Sequence, residues 1–462
     1  MKLTCICFLL TILFHGLLIA DTIQKEDSDS LLQEDELLLE DELLFEEPDS
    51  TSDDTLYSYS ASDSDINNQT VKSLLWPKAL RVSLQGDLKY NFELHQAEVR
   101  RSSLRLEYES ALWRASYLKL DAKYQYFNQG DFLVGDSLAD NSLEGNGHDA
   151  SYGKATLNAA WFQYRINDCT IKLGRQNLFW GAVEGSYAVD VIAPIDATQP
   201  LLTDFSDIRS SQNMALFNCY LNKSEMEIVF LPQPLMDRYQ HKGRAALNDL
   251  ENSLHAEFGL RLTQHWEGFD LSLMYAHLYG NTPHLRANPF DPEASELVTS
   301  RYDFWALSAV WAIDRLLVKG DVAYSADQII SNGSLVTESL PIEDQVDIAF
   351  GLEYTNSERH QFAMNLWRYK AIKALHADPG SYNRAWNLSW RKEFYHDTLS
   401  LSLLGLWFDQ PKVQITTFLA EYQWNDFWLF SSAIQYGDNI QQVSMVNGES
   451  QLSLQVSLKY QF

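Results

Sequence analysis

The segment Gln451-Leu452-Ser453-Leu454-Gln455-Val456-Ser457-Leu458-Lys459-Tyr460-Gln461-Phe462 alternates polar and apolar residues from end to end. A period of two marks a β-strand whose two faces differ in character. Leu452, Leu454, Val456, Leu458, Tyr460 and Phe462 make the apolar face. A tilted strand crosses the hydrocarbon of a bilayer in about 9–11 residues, so this stretch is long enough to span.

The same pattern recurs upstream. From Leu80 to Leu94, Leu80, Val82, Leu84, Leu88, Tyr90, Phe92 and Leu94 share one face, and Arg81, Ser83, Gln85, Asp87, Lys89, Asn91 and Glu93 the other. Comparable alternation occupies 103–109, 113–127, 154–166, 169–179, 212–221, 225–231, 255–264, 268–280, 301–313, 315–326, 346–355, 360–371, 383–394, 398–408, 412–424 and 427–437. With 451–462 this makes an even set of eighteen, and loss of one hairpin would leave sixteen. The prediction is an all-β protein, a transmembrane antiparallel β-barrel of 16–18 strands.

Connection lengths agree. If the last strand descends into the periplasm, the joints at 167–168, 222–224, 265–267, Asp314, Asn356 to Arg359, His396-Asp397 and Asn425-Asp426 lie on the periplasmic side, and all are short. The opposite joints near 128–153, 180–211, 232–254, 281–300, 327–345, 372–382 and 438–450 are long and polar, with only 95–102 and 409–411 short. Short turns inside and long loops outside are the outer-membrane arrangement. A soluble sandwich or propeller has similar strand numbers but no need of outward aromatic ladders.

Composition narrows the class. Beyond residue 21 no run of about 18 apolar residues exists, so helical spans are excluded. Yet 13% of residues are aromatic, with 13 Trp, as interface girdles require. Residues 1–20, with Lys2 ahead of an apolar run ending at Ala20, read as a secretory signal peptide, and no Cys follows closely enough for a lipoprotein. Residues 21–77 form an acidic, low-complexity periplasmic leader and linker. Seventeen acidic residues against Lys25 alone between Asp21 and Thr70 account for −16 of the net charge of −28. Such a block is expected to be disordered, with docking to a periplasmic partner or plugging of the lumen as the sharper alternatives. The barrel is assigned to 78–462, which leaves no room for a separate plug domain.

Charges within the strands must avoid hydrocarbon, so Arg105, Glu107, Lys119, Asp121, Lys172, Arg261, Lys319, Asp321 and Arg391 are placed on the lumen wall. They would line a hydrated pore, or hold the barrel's shape as ion pairs. The loop from Gly181 to about Ser211 carries Glu184, Asp190, Asp196, Asp204 and Asp207, with Val189, Val191, Ile192, Ile195, Leu201, Leu202 and Phe205 among them. A loop so rich in apolar residues suits packing, either over the mouth or into the bore. The five carboxylates are candidates for a cation-leaning constriction, with Arg175 and Arg209 as countercharges. The plainer reading makes Asp190 and Asp196 turn caps and Arg175 a loop anchor.

Gly174-Arg175-Gln176, Trp180-Gly181, Asp190 and Pro194-Ile195-Asp196 resemble the signature of an uncharacterised family of proteobacterial, porin-like outer-membrane barrels, distantly similar to alginate-export-type porins. The likeness spans about Leu80 to Pro232, and the long acidic leader departs from it. It implies residence in a Gram-negative outer membrane and a transport role without a settled substrate. The terminal Phe462 resembles the C-terminal signal of such barrels, which implies the barrel-assembly machinery as a partner.

Cys169 and Cys219 fall near the periplasmic rim on adjacent strands and on one face. A disulfide is open to them, though the strain common in adjacent-strand pairing favours two buried thiols. No Gly-x-Ser-x-Gly elbow, His-Glu-x-x-His motif or phosphate-binding Gly-Lys-Ser/Thr loop occurs, and the 11 His are scattered. The chain is therefore expected to be no enzyme, to need no cofactor or metal, and, at its charge, to bind no nucleic acid. The expected function is passage of small hydrophilic solutes: anionic or neutral glycans on the resemblance, small cations on the loop carboxylates. The alternative is a closed-lumen barrel acting as a docking component in envelope assembly or polysaccharide export.

Overall fold

The computed structural model describes residues 79–93, 95–113, 115–128, 152–197, 208–239, 244–286, 296–329, 342–371, 382–409, 412–438 and 450–462. All belong to one compact unit, Val71–Phe462. The signal-peptide and leader assignments, and Asp204 and Asp207, lie outside the described residues.

Eighteen strands form one antiparallel sheet. They are β1 (Leu80–Asn91), β2 (Gln96–Trp113), β3 (Ser116–Phe127), β4 (Tyr152–Ile166), β5 (Cys169–Gln176), β6 (Gln212–Leu221), β7 (Ser224–Leu231), β8 (Glu257–Trp266) and β9 (Phe269–Tyr279). There follow β10 (Arg301–Ile313), β11 (Leu316–Ile329), β12 (Ile342–Thr355), β13 (Gln361–Ala371), β14 (Tyr382–Phe394), β15 (Leu399–Phe408), β16 (Val413–Gln423), β17 (Trp428–Asp438) and β18 (Ser450–Gln461). Each pairs with the next, and β1 pairs with β18 from Ser83↔Gln461 to Asn91↔Ser453, which closes the barrel. The strand number is the upper of the two expected, and all eighteen predicted segments correspond to strands.

The two faces invert the usual distribution of a water-soluble protein. On β18, Leu458 is 46% exposed, while its neighbour Ser457 is 4% exposed. Leu84, Trp305, Leu273, Phe362 and Phe462 are likewise exposed, whereas Asp87, Arg101, Asp121 and Gln455 are buried. An oily exterior around a polar interior is stable only against hydrocarbon, so the barrel spans a membrane.

The tight turns follow from local chemistry. The two-residue connections after β4, β6, β8 and β10 contain Asn167, Asn222, Gly268 and Asp314, each with positive φ (53°, 58°, 70° and 52°). Primed hairpin turns demand this conformation, and Asn, Asp and Gly tolerate it best. One boundary differs from expectation: the short loop read at 95–102 belongs to β2. Arg100-Arg101-Ser102-Ser103 looks like a loop, but Arg101 turns inward and its Nε donates to Asp87 at 2.8 Å.

The long connections on the other side carry structure of their own. Asp196–Ala197 pairs in parallel with Arg238–Tyr239, His284–Arg286 pairs with Glu296–Val298, and one helix, α1, spans Arg244–Ser253. The Asp237 carboxylate ties three of these loops together, accepting from the Ile195 amide and from Thr282 Oγ1, both at 2.7 Å.

Cys169 stands opposite Cys219 in the β5–β6 register and is joined to it as a disulfide, with Cα atoms 4.0 Å apart. Free thiols were favoured on strain grounds, but a close, non-hydrogen-bonded antiparallel pair brings the two Cβ atoms together. The bond encloses a 50-residue separation, for which chain-entropy arguments give about 4 kcal/mol. Non-reducing peptide mapping is expected to recover the Cys169 and Cys219 peptides as one species. The double variant Cys169→Ser, Cys219→Ser is expected to fold but to unfold at lower denaturant concentration in detergent.

Candidate functional site

The inner face of β6–β11 carries a large apolar sector. Met214 and Leu216, Val229 and Leu231, Met274, Ala276 and Leu278, Tyr302, Phe304 and Ala306, and Ala323 line it, and all are buried. An apolar wall inside a hydrated barrel needs a cover, and the loop from β5 to β6 supplies it. Leu178, Trp180, Val183, Ala188, Val189 and Ile192 pack on those residues as one cluster. Of the two placements open to this loop, it folds into the bore.

Its course is fixed by polar contacts in turn. Trp180 is 1% exposed, and its Nε1–H donates to Glu227 Oε1 on β7 at 2.7 Å; Arg261 on β8 donates to the other oxygen at 3.2 Å. Gly259 makes room for the Trp180 ring, which passes 2.5 Å from where a Cβ would stand. Gly181, at φ 94°, then turns the chain so that the Ala182 and Val183 amides both point at Asp321 on β11. The Asp321 carboxylate accepts from Ala182 at 3.1 Å, Val183 at 3.0 Å and Ser308 Oγ at 2.5 Å.

Beyond this anchor Glu184 lies 3.7 Å from Lys319 Nζ, and Lys319 also donates to Glu353. A Cβ on Gly185 would stand 3.3 Å from Asn387 Nδ2 on β14. β14 is nine strands from β5, so the loop reaches the opposite wall. The return limb is pinned by Gln212 Nε2 on the Ile192 carbonyl at 2.6 Å and Asn281 Nδ2 on the Val191 carbonyl at 2.7 Å.

The predicted constriction residues separate into groups. Asp190 is ion-paired with Arg209, which also donates to the Ala193 carbonyl at 2.8 Å and stacks on the Tyr187 ring. Asp196 meets Lys154 at 3.0 Å. Both carboxylates are thus matched by a base. Among the described members Glu184, with its side chain 78% exposed, projects openly. Arg175 does not join the set: its Nε donates to the Leu157 carbonyl at 2.7 Å.

The predicted wall charges lie on inward-facing rows, and most are paired. Arg105 forks onto Asp121 at 2.9 and 2.6 Å and lies 3.4 Å from Glu107. Lys119 meets Glu109 at 2.6 Å, Arg391 meets Glu393 at 3.0 Å, and Lys172 sits 4.5 Å above the Trp161 ring. Glu227, Asn387 and the Asp87–Arg101 pair went unnamed in the sequence reading. For Glu227 a signal existed: Glu225 and Glu227 alternate with the exposed Ile228 and Phe230 row. Among the described residues no group of three or more His, Cys, Asp or Glu could hold a metal ion.

No family model and no curated protein matches the chain. Solved structures similar to it include Acinetobacter baumannii OccAB2 at 11% identity, covering 83% of this chain and 97% of that one, with a TM-score of 0.47. Pseudomonas aeruginosa OpdK with vanillate is 8% identical over 83% and 98% of the two chains, TM-score 0.48. Pseudomonas aeruginosa OccK3 is 12% identical over 83% and 95%, TM-score 0.46.

Replacing Asp321 by Ala strands the Ala182 and Val183 amides in a dry interface, at about 1–3 kcal/mol each. Asp321→Ala is expected to keep the heat-modifiable barrel but to expose 181–192 to added protease, to which the native loop is resistant. Acid is expected to leave the loop docked. Burial outweighs Arg209 and pushes the Asp190 carboxyl up to about 6, above its unfolded value near 4. The folded state therefore binds the proton more tightly, and this group's contribution falls as pH rises from about 4 to 6 and is restored as pH falls. Protease resistance of the loop at pH 5 should equal or exceed that at pH 7.

Proposed function

We propose that this barrel is an outer-membrane channel for passive or facilitated diffusion of small hydrophilic solutes. The carrying observation is the loop docked across the bore: it covers the apolar sector of β6–β11 and leaves the more polar wall of β1–β5 and β13–β18 beside it. Water and solute would pass along Arg105, Glu107 and Lys119, whose side chains stay roughly a quarter to a third exposed. At the loop tip Glu184 and Glu353 share the ammonium of Lys319. Two carboxylates to one cation in a low-dielectric wall favour small cations. The cation-leaning constriction thus moves from Asp190 and Asp196, both neutralised, to Glu184 and its neighbours.

Glycans, anionic or neutral, remain the cargo implied by the distant likeness to alginate-export-type porins, which rests on the Gly174-Arg175-Gln176 strand end. A second reading has an observation of its own. Asp87, Arg101, Lys123, Gln125, Ser453 and Gln455 are all buried, as expected of a barrel whose lumen is closed and which serves as a docking component. Surface lipid, the assembly machinery acting at Phe462 and a periplasmic partner of the leader complete the proposed associations.

Planar-bilayer recording separates the two: a channel gives reproducible conductance steps, and a platform gives none at any voltage. Glu184→Lys is expected to shift the reversal potential toward anion permeation, and Glu184→Gln to do so by less. Asp190→Asn with Asp196→Asn leaves Arg209 and Lys154 unmatched, so a smaller shift of the same sign is expected. An unchanged cation-to-anion ratio in Glu184→Lys overturns the assignment of the constriction.

A further inference from the structure

The exterior of the barrel is not uniform. On the outward face of β11–β16, Leu352, Met364, Leu388, Leu403 and Trp407 border an apolar groove of about 500 Å³. Gly405 leaves a depression between them. The Trp407 ring leans over it, 2.2 Å from where a Cβ would stand, and stacks on Trp386 at 3.9 Å to close one end.

The other end runs toward the short turns and meets charge. Phe362 pairs with Trp390 on an outward row, and Gln361 pairs with Arg391 one residue nearer the turn. One step further the ladder sets His360 beside Lys392, outward again. Trp390 Nε1–H donates to His360 Nδ1 at 3.1 Å, so the ring proton of a neutral imidazole sits on Nε2. Nε2 then faces Lys392 Nζ at 2.8 Å, donor against donor. Glu358 Oε2 approaches Nε2 at 3.5 Å but is 74% exposed on the turn, while nearby Arg359 and Asp397 pair with each other at 3.1 Å. Two adjacent donors at the membrane surface suit an anionic oxygen that lies beside both and accepts from each.

We propose that this groove and its rim bind one aminophospholipid of the periplasmic leaflet. An acyl chain fills the groove, the phosphodiester bridges Lys392 Nζ and His360 Nε2–H, and the headgroup ammonium meets Glu358. Dimensions agree: Leu388 to Lys392 spans four strand residues, roughly 13 Å, against roughly 15 Å for the hydrocarbon of one leaflet. The charges agree as well, since a zwitterionic amine headgroup complements a donor pair flanked by one carboxylate. The site depends on the barrel spanning a membrane and not on what crosses its bore.

The test is native mass spectrometry of the full chain in detergent, with phosphatidylethanolamine and phosphatidylglycerol of matched chains supplied in equal amounts. One retained phosphatidylethanolamine adduct is expected. Lys392→Gln, losing a charge-assisted contact, should lower its population by about tenfold. Met364→Trp, which fills the groove, should do the same, and Glu358→Gln should abolish the preference for the amine lipid. Heat-modifiable migration confirms folding of each variant. Wild-type binding in Lys392→Gln or Met364→Trp, equal retention of phosphatidylglycerol by the native chain, or a protein dimer in place of the lipid adduct overturns the proposal.

Discussion

Hydrocarbon offers no partner for a peptide N–H or C=O, and every other feature of this protein answers to that fact. An open sheet would leave two strand edges unpaired in lipid, at several kcal/mol for each group. The pairing of β1 with β18 removes both edges. Once the sheet is closed, period-two alternation acquires a meaning that it lacks in an open sheet, because one row must meet lipid and the next must meet whatever fills the cylinder. The strict alternation of β18, exposed Leu458 beside buried Ser457, is the imprint of that demand on the sequence.

Closure creates a second demand, inside. Eighteen strands enclose more space than wall side chains can fill, and here the wall is split. The larger part is polar, with ion pairs such as Arg105–Asp121 and Lys119–Glu109, content in water; the sector at Met274, Tyr302 and Phe304 is not. The β5–β6 loop settles the mismatch by burying its own Trp180, Val183 and Val189 against the apolar sector. Placement of the loop is therefore a packing problem before it is a functional one. The bore narrows because that surface has to be covered.

These two demands differ in how plainly the sequence records them. Outward rows are read by any single strand, since hydrocarbon contacts are local, and all eighteen strands were legible for that reason. β2 was truncated because Arg101 is polar for the sake of the lumen and sits in a polar run, and such runs look alike in a loop and in an inward row. The apolar inner sector was invisible. On β10 both rows are apolar, with Trp305 and Leu307 outward and Tyr302, Phe304 and Ala306 inward, so periodicity loses its contrast. Asp321 could be placed on the lumen wall, but its partners Ala182 and Val183 lie about 140 residues away and meet it only after closure. The carboxylates of the loop and Arg209 as a countercharge were legible, while the particular pairing of Arg209 with Asp190 and of Lys154 with Asp196 was not.

The manner of anchoring bears on the electrostatics of the passage. A loop held by an ion pair would cancel one carboxylate with one base, as Asp190 and Arg209 do. Asp321 is held instead by two backbone amides and a hydroxyl, all of them neutral. Neutral donors satisfy the carboxylate without setting a countercharge beside it, and a site 1% exposed is poorly screened by salt. The nearby ammonium of Lys319 is already shared between Glu353 and Glu184. Fixing the loop and leaving net negative charge at its tip are thus one structural act.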